Sequence, residues 1–263
     1  MPIAYVNGLH IHYQFDGDRD APAVVFANSL GTDLRLWDAI LPLLPKEACY
    51  LRYDKRGHGL SDCPAGQWQM STLAKDIAAL MDHLALKDAI FVGLSIGGMI
   101  GQALAVKRMD LVRGLVLSNT GAKIATQQIW QDRIDMVNAH GIEALADATM
   151  ARWFSDKFRK TADMHLWRNM LVGQRSGGYA ACSAAIQRTD LKEATSGLRL
   201  PALGIAGTED GATPPDLVRE TLALIPGSDL RLIRGAGHLP CVETPQTYAH
   251  ILTEFFHAQG IQG

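Results

Sequence analysis

Long apolar runs are missing from this chain. No stretch of its 263 residues approaches the length needed to cross a bilayer, and the amino end, Met1-Pro2-Ile3-Ala4-Tyr5, lacks a basic region followed by an apolar one. A membrane anchor or export signal is therefore not expected, and cytoplasmic residence is the default expectation. Charge of one sign is scarce as well: the net charge is −2, with no basic stripe or acidic tail, which argues against nucleic acid or a membrane surface as a partner. Cysteine is sparse. Cys49, Cys63, Cys182 and Cys241 are scattered, with no C-x-x-C pair and no histidine at zinc-finger spacing, so no metal site is legible and reduced, packed thiols are expected. Repeats, low-complexity tracts and linkers are absent too, and nothing in the sequence calls for a cofactor.

What remains is an ordinary globular composition, 48% hydrophobic and 20% charged, long enough for one large domain with an inserted subdomain. Asn7-Gly8 between two strand-like runs marks an opening hairpin. Apolar strand segments at 23–27, 49–53, 89–92, 112–117, 201–206 and 229–233 then alternate with helical segments at 34–44, 72–84, 99–106, 217–224 and 245–257. Such alternation predicts an α/β fold with a mostly parallel sheet covered by helices. From about residue 120 to 197 the strand rhythm stops and helical stretches take over, at 129–139, 142–153 and 162–171. The expected organisation is a core of 1–119 and 198–263 carrying a helical cap, 120–197. Trp130, Trp153 and Trp167 fall in that cap, either packed in its core or facing a ligand.

Between a strand and a helix stands Gly93-Leu94-Ser95-Ile96-Gly97, the G-x-S-x-G pattern of a nucleophile elbow. A serine on a sharp strand-to-helix turn needs neighbours without a Cβ, and Ser95 is the candidate nucleophile. A serine hydroxyl is a poor nucleophile at neutral pH and requires a base oriented by a carboxylate. Two later segments that follow strands supply them: Gly207-Thr208-Glu209-Asp210, and Gly235-Ala236-Gly237-His238. Among nine histidines the rival base is His58, but it precedes the serine in a segment better read as a structural turn. Glu209 and Asp210 both qualify as the acid. Oxyanion donors are expected from the backbone N–H groups of Ile96 and of Leu30, in Ala27-Asn28-Ser29-Leu30-Gly31.

Over essentially its whole length the sequence resembles the α/β-hydrolase family. More narrowly, the segments Asn28-Ser29-Leu30-Gly31-Thr32-Asp33, Tyr53-Asp54-Lys55-Arg56-Gly57-His58-Gly59, Gly93-Leu94-Ser95-Ile96-Gly97-Gly98 and Gly207-Thr208-Glu209-Asp210-Gly211-Ala212-Thr213-Pro214 look like those of 3-oxoadipate enol-lactonases. The resemblance implies an α/β-hydrolase fold with an inserted helical cap and selects Asp210 as the acid of a Ser95–His238–Asp210 triad. It further implies hydrolysis of 3-oxoadipate enol-lactone to 3-oxoadipate in catabolism of aromatic compounds, the β-ketoadipate pathway. The substrate is then a small anionic lactone whose free carboxylate needs a cation. Arg133, with Trp130 on the same helical face, is the candidate clamp, the alternative being a solvated helix arginine. Other uses of the same scaffold are a general carboxylesterase, a carbon–carbon bond hydrolase, or a small-molecule receptor.

Overall fold

The computed structural model describes residues 1–261 and is built on an eight-stranded sheet. Strands β1 (Ile3–Val6) and β2 (Leu9–Asp16) pair antiparallel across Asn7 and Gly8, both at positive φ, as a two-residue hairpin turn of this handedness demands. Next come β3 (Ala23–Ala27) and β4 (Cys49–Tyr53), then α1 (Met70–His83), β5 (Ala89–Leu94), α2 (Ile96–Lys107) and β6 (Val112–Ser118). After a helical stretch comprising α3 (Gln127–His140), α4 (Ala146–Trp153), α5 (Met164–Val172), α6 (Ser176–Gln187) and α7 (Lys192–Ser196), the chain returns to the sheet. It closes with β7 (Ala202–Gly207), α8 (Pro215–Leu222), β8 (Asp229–Ile233), α9 (Pro240–Glu243) and α10 (Pro245–Ala258).

The strand order is β1-β2-β4-β3-β5-β6-β7-β8, with every pair from β4 to β8 parallel. Every residue of β3, β4, β5 and β7 is buried, as expected of central strands covered by helices on both faces. α1 supplies one cover, with Leu73, Ile77, Leu80 and Met81 turned inward. Order reverses at β3: the chain leaves it toward β4 and later returns to its other side as β5. Loops leaving the carboxyl ends of β3 and β5 consequently diverge and open a crevice at that switch point.

Two expectations needed correction. Residues 34–44 do not form one helix but two short 3-10 turns, Leu34–Trp37 and Leu41–Leu43. Pro42 has no N–H for the carbonyl four residues back, and its ring collides with that carbonyl. Residues 142–153 likewise split into a 3-10 turn, Ile142–Leu145, and α4. α6 is not among the helical stretches singled out in the sequence, and its opening Ser176-Gly177-Gly178 is weak in helix propensity. Its glycine has a tertiary purpose: a Cβ on Gly178 would strike the backbone of Gly57.

Candidate active site

Ser95 follows β5 directly and caps α2 with φ 58 and ψ −120, a conformation that costs a non-glycine residue of order 1–3 kcal/mol unless its surroundings enforce it. They do. The Ser95 N–H donates to the Ser118 carbonyl at 3.0 Å, while the Ser95 carbonyl accepts the Thr120 hydroxyl at 2.6 Å and the Gly98 N–H at 2.9 Å. The flanking glycines are needed for approach rather than for φ. A Cβ on Gly93 would run into the Gly97 carbonyl, and one on Gly97 into the carbonyl of Ala27 on β3.

Asp210 leaves the end of β7 and His238 the loop after β8, and the structure brings them together with Nδ1 of His238 2.9 Å from Oδ2 of Asp210. Both side chains are almost wholly buried. The carboxylate is saturated with donors: Asn119 Nδ2 at 2.8 Å and the Thr213 hydroxyl at 2.7 Å reach Oδ2, and the N–H groups of Ala212 and Thr213 reach Oδ1. Burial alone would raise its pKa, but the neighbouring His238, Asn119 and Thr213 outweigh it and hold Asp210 below the ordinary carboxylate range. An ionised Asp210 facing Nδ1 favours the tautomer that leaves Nε2 free to accept a proton. The histidine loop is anchored from behind. The His238 N–H donates to the Trp153 carbonyl at 2.7 Å, and Glu243 accepts the Gly237 N–H at 2.7 Å.

Ser95 and His238 line one cavity of about 220 Å³, together with Ser29, Leu30 and the helical stretch between β6 and β7. That is below the roughly 300–1,000 Å³ of drug-sized pockets and suits a small ligand. Nε2 of His238 lies 3.4 Å from the Ser29 hydroxyl. Among the described residues the N–H groups of Leu30 and Ile96 have no protein acceptor. A larger depression, about 530 Å³, lies between α1, α2 and α7 and contains none of these side chains.

Two guanidinium groups face the cavity. Arg133 on α3 stacks over the Trp130 ring at 4.6 Å, and Trp130 itself is buried and donates through Nε1 to the Ile124 carbonyl. Arg152 on α4 donates to the Thr149 hydroxyl at 2.9 Å. Among the described residues neither has a carboxylate partner, unlike Arg56, which pairs with Asp76. Burial, reinforced by Arg133, depresses the pKa of Arg152, so two like charges face one cavity. The Tyr179 phenol of α6 lines the same cavity, its pKa raised by burial and moderated by both arginines.

Other sequence candidates fall elsewhere. His58 does not reach the cavity; its Nε2 accepts the Gly31 N–H at 3.0 Å, and burial followed by the nearby Lys55 keeps it neutral. Glu209 does not contact His238, Trp153 lines the cavity, and Trp167 packs against Phe154 instead. Cys241 is buried against the Leu36 carbonyl, and all four cysteines are unpaired. Sequence reasoning missed Arg152, Tyr179, Asn119 and Thr213. Thr213 could have been found three residues past Asp210, where a hydroxyl can fold back onto the carboxylate.

A serine at a strained elbow, a histidine and carboxylate from later strand ends, and a cavity over the sheet's switch point define a hydrolase of the α/β type. Residues 22–139 match the family model for the alpha/beta hydrolase fold. Two Acinetobacter baylyi proteins named 3-oxoadipate enol-lactonase are 33% and 31% identical to it, covering 91% and 95% of this chain and 90% and 94% of their own lengths. The crystal structure of an enol-lactonase from Burkholderia xenovorans superposes with a TM-score of 0.94 at 37% identity, covering 97% of this chain and all of that one. The chain belongs to the α/β-hydrolase family, and within it stands among relatives named as enol-lactonases.

Proposed function

We propose that this chain hydrolyses 3-oxoadipate enol-lactone to 3-oxoadipate, a step in aromatic-compound catabolism. The observation that carries the reading is the pair Arg133 and Arg152, two cations without carboxylate partners in the cavity that holds Ser95 and His238. Two guanidiniums facing one cavity repel each other unless an anion joins them, and the lactone brings a carboxylate that takes no part in bond breaking. The names of the relatives point the same way.

In this reading Ser95 Oγ attacks the lactone carbonyl while Nε2 of His238 takes its proton. The tetrahedral oxyanion is met by the Leu30 and Ile96 N–H groups. Collapse breaks the ring C–O bond, and His238 returns the proton to the departing enol oxygen. Acyl and leaving groups remain one molecule, so the tethered enol stays beside the ester it came from; its ketonisation removes the nucleophile that could close the ring again. Water, deprotonated by His238, then releases the product and restores Ser95.

The test compares the enol-lactone with a neutral aryl acetate. Arg133→Leu and Arg152→Leu each remove a charge-assisted contact of about 1.5–3 kcal/mol, a roughly ten- to hundredfold loss in kcat/KM on the lactone. Neutral acetates, which present no anion to the arginines, should be nearly unaffected. Equal losses on both substrates, or none on either, would remove the arginines from substrate recognition.

A further inference from the structure

Lys55, in the turn after β4, is buried to 3% exposure and has no carboxylate within ion-pair distance among the described residues. Its ammonium donates to two carbonyls of the loop after β3, Ser29 at 2.6 Å and Thr32 at 3.2 Å. Those contacts bear on the neighbouring peptide. In a trans peptide the C=O of one residue and the N–H of the next point in opposite directions. Holding the Ser29 carbonyl down on Lys55 therefore turns the Leu30 N–H the other way, toward the cavity that Leu30 lines. A cation on the oxygen also draws electron density through the amide and makes its N–H a stronger donor. The same arrangement recurs on the other wall, where the buried Thr120 hydroxyl grips the Ser95 carbonyl at 2.6 Å and the Ile96 N–H lies across that peptide. The loop is fixed at further points by His58 on the Gly31 N–H and by Asp54 on the Leu34 N–H.

We propose that Lys55 is a positioning residue of the oxyanion site, aiming and polarising the Leu30 N–H through the Ser29 carbonyl, with Thr120 serving the Ile96 N–H in the same way. This rests on the reading of Leu30 and Ile96 as oxyanion donors. The titratable groups around the ammonium are Asp33 and Asp54, which favour its charge, the neutral His58, and the Cys182 thiol of α6, pushed up to about 12 by burial. Asp33 is engaged by Arg35 and Asp54 by His12, so neither sits on the ammonium itself. Desolvation outweighs them and lowers Lys55 to about 8, so its charge is lost in mildly alkaline solution.

Lys55→Met and Thr120→Val are compared with wild type for turnover of 4-nitrophenyl acetate, and for the rate at which a 4-nitrophenyl alkylphosphonate modifies Ser95, from about pH 6 to about pH 10. Both reactions place negative charge in the oxyanion site. Lys55→Met is expected to lower kcat and phosphonylation by about ten- to hundredfold with KM within about twofold, less than the loss of a whole donor. Wild-type kcat should decline as pH rises through about 8, and that limb should vanish in Lys55→Met. Thr120→Val should show a smaller drop in kcat with an unchanged pH profile. A Lys55→Met enzyme with wild-type kcat and the same alkaline limb overturns the proposal. Should that variant fail to fold, a wild-type profile flat to about pH 10 together with unimpaired Thr120→Val overturns it equally. Absence of any Ser95 modification in wild type would instead sink the serine mechanism underneath.

Discussion

Ser95 and His238 come from distant segments of the chain and in the proposed mechanism act as a unit, so each substitution should remove most of what both together provide. Ser95→Ala and His238→Ala should each lower kcat by about three orders of magnitude or more, and the double variant should be little worse than either alone. The circular dichroism and melting temperature of each variant should stay close to wild type. A Ser95→Ala enzyme retaining about a tenth of wild-type kcat would be incompatible with a nucleophilic serine. Thr213 permits a finer test at the same scale. Thr213→Val deletes a buried donor to Asp210 while leaving the two backbone donors on Oδ1, so kcat should fall by far less than in His238→Ala.

At the scale of elements, the elbow depends on β5, α2 and β3 meeting without side chains between their backbones. Gly97→Ala places a methyl against the Ala27 carbonyl and should cost about 1–3 kcal/mol of stability, read from denaturant midpoints at unchanged m-value. A melting curve identical to wild type would show that the strand ends are free to part. The loop held by Lys55 gives a pH signature of its own. Its folded pKa, about 8, lies below the ordinary lysine value, so between about pH 8 and 10.5 the unfolded chain binds the proton that the native protein has released. The stability contribution of Lys55 therefore rises with pH across that window. Relative to Lys55→Met, wild type should gain stability from pH 8 to pH 10, and a constant difference between the two would place the ammonium in a less costly environment.

For the whole molecule, the described residues hold no group of three or more histidine, cysteine, aspartate or glutamate side chains able to grip a metal ion, and no helix among them is long and apolar enough to cross a membrane. The proposed serine chemistry draws its electrostatic stabilisation from backbone donors. Activity on an aryl acetate should accordingly survive exhaustive dialysis against a chelator. Loss of turnover that returns with an added divalent ion would contradict the mechanism.

The sheet was legible in the chain because its signals are local: unbroken apolar runs bounded by turn residues, an Asn-Gly hairpin, and amphipathic spacing in the 72–84 segment. The elbow was legible for the same reason, since tight backbone approach demands glycine at fixed offsets from Ser95. The positions of Asp210 and His238 followed from topology, as parallel strands deliver their following loops to one edge. Other features were invisible in one dimension. The 34–44 segment reads as apolar and periodic, yet Pro42 overrides that pattern, and α6 begins with two glycines of which Gly178 is explained only by its contact with Gly57. The segment around Lys55 carries the family resemblance but not the role of its ammonium, and Arg152 and Tyr179 are ordinary residue types until packing shows which are buried, which lack a counter-charge and which carbonyls they hold. Sequence determined the fold and singled out the candidate residues at strand ends, because backbone sterics and hydrophobic periodicity act over a few residues. Tertiary structure alone decided which cations share the cavity and what stands behind each proposed oxyanion donor, because burial and hydrogen bonding depend on segments as far apart as residues 29, 55, 133 and 179.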